Sequence, residues 1–553
     1  MGEKKFEIVP LGGLGEFGMN MMAVGCGDDI IVVDAGLMFP REDLLGVDFV
    51  IPDFAYLLEN REKVRAIFLT HGHEDHVGAL PYLLKDLPVP VYATPLTLGF
   101  AQGRLEENGV LDEAELIDVE ARDTWDFGEL HVEIIHMTHS IADSIGLAIT
   151  SPAGTIIMTG DYKLDSAPID KRPTDYARLS HYGEQGVLAL FGDSTNSERP
   201  GFTPSESQVR KNLETIFHAA RKKIIVACFA SSIHRIQIVL DLARNFGKRV
   251  IVIGRSMKRN ISIASDLGYL DIPHGIIADV SEARSIPDEE IIILSTGSQG
   301  EPLAALTRLA LGRQKGISVN DGDSVVVSAR VIPGNELRVS RLVNHFCRLG
   351  ARVFEENHGD MHVSGHASQE EMKIMLNLTK PRFFIPIHGE YRQLYAHALL
   401  AEETGITKDR ILIAETGDII HLGENSISVA GKAPFGRRLI DDGGVAELDD
   451  DVIGDRHRLS EEGVVLAVIV VDKTAGEMKG LPELAIRGHV QGSEEVDFLA
   501  EARLVVVDAF NECTRQERKD SGILTEIIRA ALKRYFRKDA GTRPMIIPIV
   551  IDI

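Results

Sequence analysis

Six consecutive residues constrain this chain more than any other stretch. His71-Gly72-His73-Glu74-Asp75-His76 sets three imidazoles and two carboxylates directly behind the apolar run Ala66-Ile67-Phe68-Leu69. That run reads as a strand, and the residues after it as a sharp loop leaving the strand. A solvated polar loop has no need of so many imidazoles. A metal ion does, because its N and O ligands must converge within ~2.0–2.2 Å of it. A loop that turns sharply aims alternate side chains inward, so His71 and His73 are expected to share one ion. Asp75 and His76 then face a neighbouring position.

The rest of the chain is organised around this block. At ~100–200 residues per domain, 553 residues imply several domains. A content of 44% hydrophobic and 26% charged residues excludes a disordered or fibrous chain. Up to about residue 204, short strand-like segments (FEIVP, IIVVD, PVYAT, HVEIIH, IGLAIT, TIIMTGD, LALFGD) are separated by few long helices, the texture of a sheet sandwich. Within the first turn, Gly13-Leu14-Gly15-Glu16-Phe17-Gly18 matches the dinucleotide fingerprint formally. No helix follows to receive a pyrophosphate, so these glycines are read as shaping a turn. From 205 to 355 helical and apolar strand segments alternate, which implies a parallel α/β layer. Residues 356–424 return to the first style, 425–458 read as a Gly- and Asp-rich linker or edge segment, and 459–553 as a small α/β domain.

Charge and cysteine usage narrow the setting. The four cysteines form no CxxC pair, which argues against a zinc ribbon or disulfide framework and fits a reducing cytoplasm. No apolar run approaches the ~20 residues of a membrane-spanning helix, and the N-terminus lacks a secretory pattern, so a cytoplasmic protein with no membrane partner is expected. A net charge of −24 argues against a broad basic surface coating nucleic acid, but it permits a narrow basic channel.

The HxHxDH block resembles the signature of the metallo-β-lactamase superfamily, an αββα fold with a mono- or dinuclear metal centre. Its other motifs find matches here: Asp34 closing IIVVD as the acid that buttresses the ligand loop, His139 in MTHS, and Asp161 in TGDYK as a carboxylate bridging two ions. The last histidine of the pattern is matched only by His388 in FFIPIHGEYR, well over two hundred residues beyond Asp161. That spacing resembles the β-CASP branch, nucleases with a domain inserted between these motifs. Its extra motifs match Asp193 in FGDSTN, His366 in HVSGHAS, and His388 itself. Together with LGGLGEFGMN, these segments resemble the ribonuclease J family across essentially the whole chain. Ser232 departs from the pattern, where Asn is expected.

The resemblance implies an α/β protein: a metallo-β-lactamase sandwich over 1–204 and 356–424, a β-CASP domain over 205–355, and a C-terminal α/β domain. It implies a ribonuclease acting on single-stranded RNA, 5′-to-3′ on 5′-monophosphorylated ends and also internally, in RNA maturation and decay. Two divalent ions are implied, Zn²⁺ first and Mn²⁺ as competitor. His71, His73 and His139 would hold one, Asp75, His76 and His388 the other, with Asp161 between them. Asp75, Asp193 and His366 carry the catalytic assignments, Asp193 orienting an imidazole and His366 donating a proton. His362, Val363, Ser364, Gly365 and His366 are expected to cradle a phosphate, and Ser231 and Ser232 to meet the 5′ phosphate at a helix start. Arg235, Arg255, Lys258 and Arg259 are read either as a local cationic track or as a solvated helix face. A structural Ca²⁺ position maps to the Gly46 carbonyl, Asp48 and Asp441. Homodimer or homotetramer assembly through the C-terminal domain is expected, as are partner enzymes of RNA decay. The rival readings are a thioester or lactam hydrolase, which needs no β-CASP insertion, a redox di-iron protein, which needs a flavin module, and a noncatalytic RNA-binding subunit, which needs no intact ligand set.

Overall fold

The computed structural model describes residues 4–553 apart from 42–43, 302–303, 332–334, 356–360, 442–445, 449 and 489–492. The chain forms two compact units, Met1–Phe39 with Phe49–Arg438, and Pro40–Asp48 with Leu439–Ile553.

The larger unit is built on two sheets. The first has eight strands in the order Ser426–Lys432, Asp418–Gly423, Phe6–Gly12, Met21–Cys26, Asp29–Val33, Val64–Phe68, Val91–Ala93, Leu116–Asp118. The second has six, in the order Phe383–Ile387, Ala189–Asp193, Gly154–Met158, Ile145–Ser151, Leu130–His136, Thr124–Phe127. Phe6, Ile8, Val24, Ile31 and Phe68 of one sheet and Val132, Ile134, Leu147, Ile149 and Phe191 of the other lie fully buried in one core. The reverse face of the second sheet (Ile135, Ala148, Ile157, Phe384) packs on helices Tyr176–Gln185, Gln369–Thr379 and Tyr391–Glu403 through Leu179, Met372, Met375 and Leu400. Alternate residues of the inner strands of the second sheet therefore point into separate apolar layers, which is why these strands read as continuous apolar runs rather than as clean alternation.

Between Asp193 and Phe383 the chain leaves to form a six-stranded, all-parallel sheet, ordered Ile277–Ala278, Arg249–Ile253, Ile291–Ser295, Ile224–Ala227, Ser324–Val327, Arg352–Phe354. Helices Glu206–Ala219, Ile233–Asn245 and Arg255–Asp266 cover one side, and Ala305–Ala310 and Glu336–Arg348 the other. The detour begins and ends on neighbouring strands. Ala189–Asp193 runs parallel to Phe383–Ile387 with Asp193 opposite Ile387, so the chain re-enters with His388 beside the point of departure. This register alone brings residues far apart in sequence to one sheet edge.

In the smaller unit, strand Val464–Asp472 is flanked by Glu483–Arg487 and, in parallel, by Met545–Asp552, with Glu477–Met478 at its end. Its alternating burial turns Val465, Ala467, Ile469 and Val471 onto helices Ser493–Glu512 and Ser521–Tyr535. The alternation of period two is that of a sheet with one covered face.

The stretch 425–458 differs from a linker. Ser426–Lys432 is the edge strand of the eight-stranded sheet, Arg437–Asp441 is a further strand, and Asp450–Glu461 is a helix. Residues 442–445 and 449 lie outside the described residues. Strand 426–432 is exposed along almost its whole length. An edge strand that sets only Ile427 against the core carries no apolar alternation to betray it.

Candidate metal centre

The centre forms where strand ends converge. Val64–Phe68 ends before the HxHxDH block, and Asp29–Val33 ends on Asp34, which sits in the left-handed region at φ 63°. The buried Asp34 carboxylate accepts from the Thr70 amide at 2.7 Å and the Thr70 hydroxyl at 2.9 Å. Its Oδ2 also lies 2.8 Å from His76 Nδ1, which leaves His76 Nε2 directed inward. Asp34 thus fixes both the start of the loop and the tautomer of one of its rings.

Three groups of donors converge: the two expected sets, His71, His73 and His139, and Asp75, His76, Asp161 and His388, and an overlapping one of Asp161, Asp193, His366 and His388. In the first, His71 Nε2 is 2.9 Å and His139 Nε2 3.3 Å from His73 Nδ1. Asp161 Oδ2 stands 3.7 Å from His71 Nε2, 3.9 Å from His139 Nε2 and 3.2 Å from His76 Nε2. His388 Nε2 is 3.5 Å from Asp161 Oδ1 and 3.6 Å from Asp75 Oδ2, and it is buried without a hydrogen-bond partner. Ligand atoms ~2.1 Å from a shared ion are themselves roughly 3–3.5 Å apart. The donor sets fit divalent ions in spacing and in chemistry, and the orphaned His388 nitrogen has no other use in the fold.

The far side of each ring is held in turn. His139 Nδ1 bonds the Gly365 carbonyl at 2.8 Å, and a Cβ at Gly365 would fall 2.5 Å from the His139 ring. His388, at φ 57°, bonds Thr195 Oγ1 through Nδ1 at 2.7 Å, and that hydroxyl donates to Asp193 Oδ1 at 2.8 Å. Asp193 Oδ2 is 2.8 Å from His366 Nδ1. One fully buried carboxylate therefore steadies both a donor of the second set and the histidine expected to donate a proton.

The electrostatics divide the centre. Burial, reinforced by neighbouring rings, holds His71 and His139 well below the usual imidazole range, and burial lowers His73 to about 4. All three are shifted toward the neutral ring, the form that ligates. At His76 burial opposes the charge, but Asp161, Asp34 and Asp75 outweigh it and hold the ring well above its usual value. At His388 the same contest, with Asp161, Asp193 and Asp75 opposing burial, pushes the ring up to about 10. Burial tends to raise Asp75 and Asp161, yet the surrounding imidazoles hold both far down in the ionised form. The pocket is built for positive charge.

The expected phosphate loop lies against this centre. Ser364 Oγ accepts from Asn196 Nδ2 at 2.8 Å and from the His366 amide at 3.2 Å, so its proton is left to donate outward. Val363 is buried, and His362 is lowered to about 3, by burial first and then by Arg235. Ser232 occupies the cap position of helix Ile233–Asn245 without a side-chain capping bond. His234 on the same helix shares a cavity of about 10 Å³ with His139, Lys163 and Glu206.

Several sequence expectations are corrected. Arg235 lines no track: it is buried, paired with Glu206 at 2.8 and 3.0 Å, and donates to the carbonyls of Ser328 and Met361, both at 3.0 Å. It clamps the entry to the phosphate loop. Arg259 is paired with Glu107 at 2.6 Å, whereas Arg255 and Lys258 lie on an exposed helix face, which contradicts neither reading of them. The calcium assignment also meets an obstacle. The Gly46 carbonyl accepts from Arg456 at 2.8 Å, Asp441 lies 3.2 Å from the same guanidinium, and the Asp48 amide donates to the Ile440 carbonyl. Two of the three expected donors, the Gly46 carbonyl and the Asp441 carboxylate, are thus turned onto a guanidinium, whereas a hard ion needs 6–8 oxygens at 2.3–2.6 Å. Four positioning residues escape the sequence reading: Asn20, Thr70, Thr195 and Asn196. Three of them adjoin motif residues, and Asn20 closes the LGGLGEFGMN segment.

Two sheets carrying seven convergent donors, with a parallel α/β insertion between their motifs, define a metal-dependent hydrolase of the metallo-β-lactamase fold. Residues 14–218 match the model of the metallo-beta-lactamase superfamily, and residues 359–411 that of a Zn-dependent metallo-hydrolase RNA specificity domain. Residues 221–346 match the ribonuclease J beta-CASP domain, and 451–553 the ribonuclease J C-terminal domain. Among similar proteins, ribonuclease J2 of Bacillus subtilis (strain 168) is 38% identical over 547 residues, covering 99% of this chain and 98% of that one. Ribonuclease J of Thermus thermophilus is 41% identical over 553 residues, covering 99% and 95%. A crystal structure of a protein of unknown function from Enterococcus faecalis V583 shares the fold at a TM-score of 0.53 and 15% identity, covering 76% of this chain and 100% of that one. The chain belongs to the ribonuclease J family and is a metal-dependent ribonuclease. Among the described residues no helix is long and apolar enough to cross a membrane.

Proposed function

We propose that the enzyme hydrolyses single-stranded RNA with two divalent ions, releasing nucleotides 5′-to-3′ from 5′-monophosphorylated ends and also cutting internally, in RNA maturation and decay. One ion would be held by His71, His73 and His139, the other by Asp75, His76 and His388, with Asp161 between them. Such a pair, Zn²⁺ or Mn²⁺, activates water and stabilises phosphoryl charge when bound. The observation that carries the reading is that Asp161 lies within 4 Å of donors from both sets.

The chain's own groups supply the rest. Ser364 offers its proton to a phosphate oxygen, and neutral His362 adds a donor without charge. The Ser231–Ser232 helix start suits a 5′ phosphate. His366, braced by Asp193, gives a proton to the leaving oxygen. If each shortened RNA is to be a new substrate, the phosphate must stay on the downstream fragment. The bond from phosphorus to O3′ therefore breaks, and O3′ takes the proton. A phosphate-reading site between a sheet edge and the inserted domain does not admit a duplex unless its strands are separated. The C-terminal unit, whose sheet turns Ile547, Ile549 and Ile551 outward, suits assembly into a homodimer or homotetramer.

The test is time-resolved product analysis on one RNA sequence bearing either a 5′ monophosphate or a 5′ triphosphate. Mononucleotides are expected to accumulate from the start only with the monophosphate, and internal fragments with both. Mononucleotide release at equal rates from both ends would overturn the 5′-end reading.

A further inference from the structure

We propose that Asn20, in the glycine-rich loop before strand Met21–Cys26, is the positioning residue of the Asp75–His76 half of the centre. The inference rests on the two-ion reading above. Helix Glu74–Val77 is a single turn that the Gly78 amide closes on the Glu74 carbonyl at 2.8 Å, and its carbonyls also take bonds from outside the helix. The segment after Asp34 takes two of them: Leu37 donates to the Glu74 carbonyl at 3.0 Å and Ala35 to that of His76 at 2.7 Å. The third, on Asp75, is taken twice by Asn20, from its backbone amide at 3.1 Å and its side-chain amide at 3.0 Å. That same Nδ2 stands 3.1 Å from His76 Nε2 and 3.5 Å from Asp75 Oδ2, two donor atoms of the set.

The surrounding chain is shaped for this contact. The Asn20 carbonyl accepts from Gly36 at 2.9 Å, and a Cβ at Gly36 would fall 1.6 Å from the Asp75 carbonyl. A Cβ at Gly13, where φ is +83°, would fall 2.3 Å from Asn20 Oδ1. An ion bound at His76 Nε2 would displace its proton and occupy that position, leaving the amide the Asp75 oxygens to bind. Asn20 thereby sets the direction of the Asp75 carboxylate without being a ligand itself.

Asn20→Ala separates this role from general packing. Native mass spectrometry and metal titration of the full chain are expected to show one ion held as in the parent. The second should need about 10- to 100-fold more metal. Turnover should recover with excess metal while KM for RNA stays unchanged, and the melting midpoint of the metal-free protein should not move. A parent that never takes up a second ion would overturn the two-ion reading itself. A parent with two ions and a variant with identical midpoints would overturn the role of Asn20. Loss of both ions with a lowered metal-free melting midpoint would overturn it equally.

A separate observation concerns the expected calcium position, in the unit formed by residues 40–48 and 439–553. Arg456 Nη1 donates to the carbonyls of Leu45 at 3.1 Å and Gly46 at 2.8 Å, and Nη2 lies 3.2 Å from Asp441 Oδ2. A Cβ at Gly46, where φ is +71°, would fall 2.5 Å from that guanidinium. A planar fork satisfies two carbonyls and a carboxylate at once. We infer that Arg456 supplies from within the chain the positive charge that an ion would bring, so that no calcium is held there. Equilibrium dialysis of the holoenzyme against radiolabelled calcium is expected to give substoichiometric binding, and Arg456→Met to speed amide exchange at residues 45–48 about tenfold or more. Stoichiometric calcium that disappears in Asp441→Asn, or unchanged exchange in Arg456→Met, would overturn the inference.

Discussion

Asp161→Ala is expected to slow RNA cleavage by about a thousand- to a hundred-thousand-fold while leaving RNA binding largely intact. Several kcal/mol of transition-state charge stabilisation rest on a pair of ions, and each ~1.4 kcal/mol is tenfold in rate. The Asp161 carboxylate approaches His71, His139, His76 and His388 together. Asp161→Asn keeps the shape of the side chain and tests whether charge or packing is responsible, so both variants should fall alike. Single-turnover rates on 5′-monophosphorylated RNA, paired with anisotropy for binding, give the result. Cleavage within tenfold of the parent in Asp161→Asn would remove shared ligation from the mechanism.

The site is legible in the sequence to different depths. The HxHxDH block declares itself because its donors are adjacent and follow a buried strand, so local spacing alone suggests convergence. His139, Asp161 and His388 are single polar residues at strand ends, and nothing local distinguishes them. Only the family pattern reaches them, and what joins them in space is the register of Asp193 against Ile387. Pairing between strands separated by a whole inserted domain leaves no trace in either strand's own sequence. The residues that hold the ligands are the hardest to see. Thr195 and Asn196 follow Asp193 in the FGDSTN segment, yet a Thr and an Asn at a strand end are ordinary turn formers. Only the 2.7 Å bond to His388 and the 2.8 Å bond to Ser364 distinguish them.

The misreadings have physical causes as well. An arginine at a helix start is usually solvated, so sequence alone puts Arg235 on a surface, and the Glu206 that neutralises it lies on another helix. The parallel insertion and the C-terminal sheet are readable because burial on two faces gives continuous apolar strands and burial on one face gives alternation. Strand Ser426–Lys432 has neither pattern, because its pairing with Asp418–Gly423 is made by the backbone while its side chains face solvent.

Asp193→Asn is expected to lower turnover by about a hundred- to ten-thousand-fold with metal content unchanged, the range associated with a lost proton donor. The wild-type carboxylate uses Oδ1 for the Thr195 amide and hydroxyl and Oδ2 for His366 Nδ1. An amide in its place can still accept from Thr195, but its NH₂ group then faces a ring nitrogen that carries a proton. The His366 ring must either turn or give up that proton. In both cases the Asp193 carboxylate no longer orients and supports the Nε2–H that faces the leaving O3′. A substrate with sulfur in place of the bridging O3′ separates this effect from damage to the metal centre, because a thiolate leaves without being protonated. The sulfur substrate should be cut by Asp193→Asn and by His366→Ala at rates near those of the parent, while the oxygen substrate remains slow. Equal slowing on both substrates would instead assign Asp193 to the support of His388 through Thr195, and His366 would lose its role as proton donor.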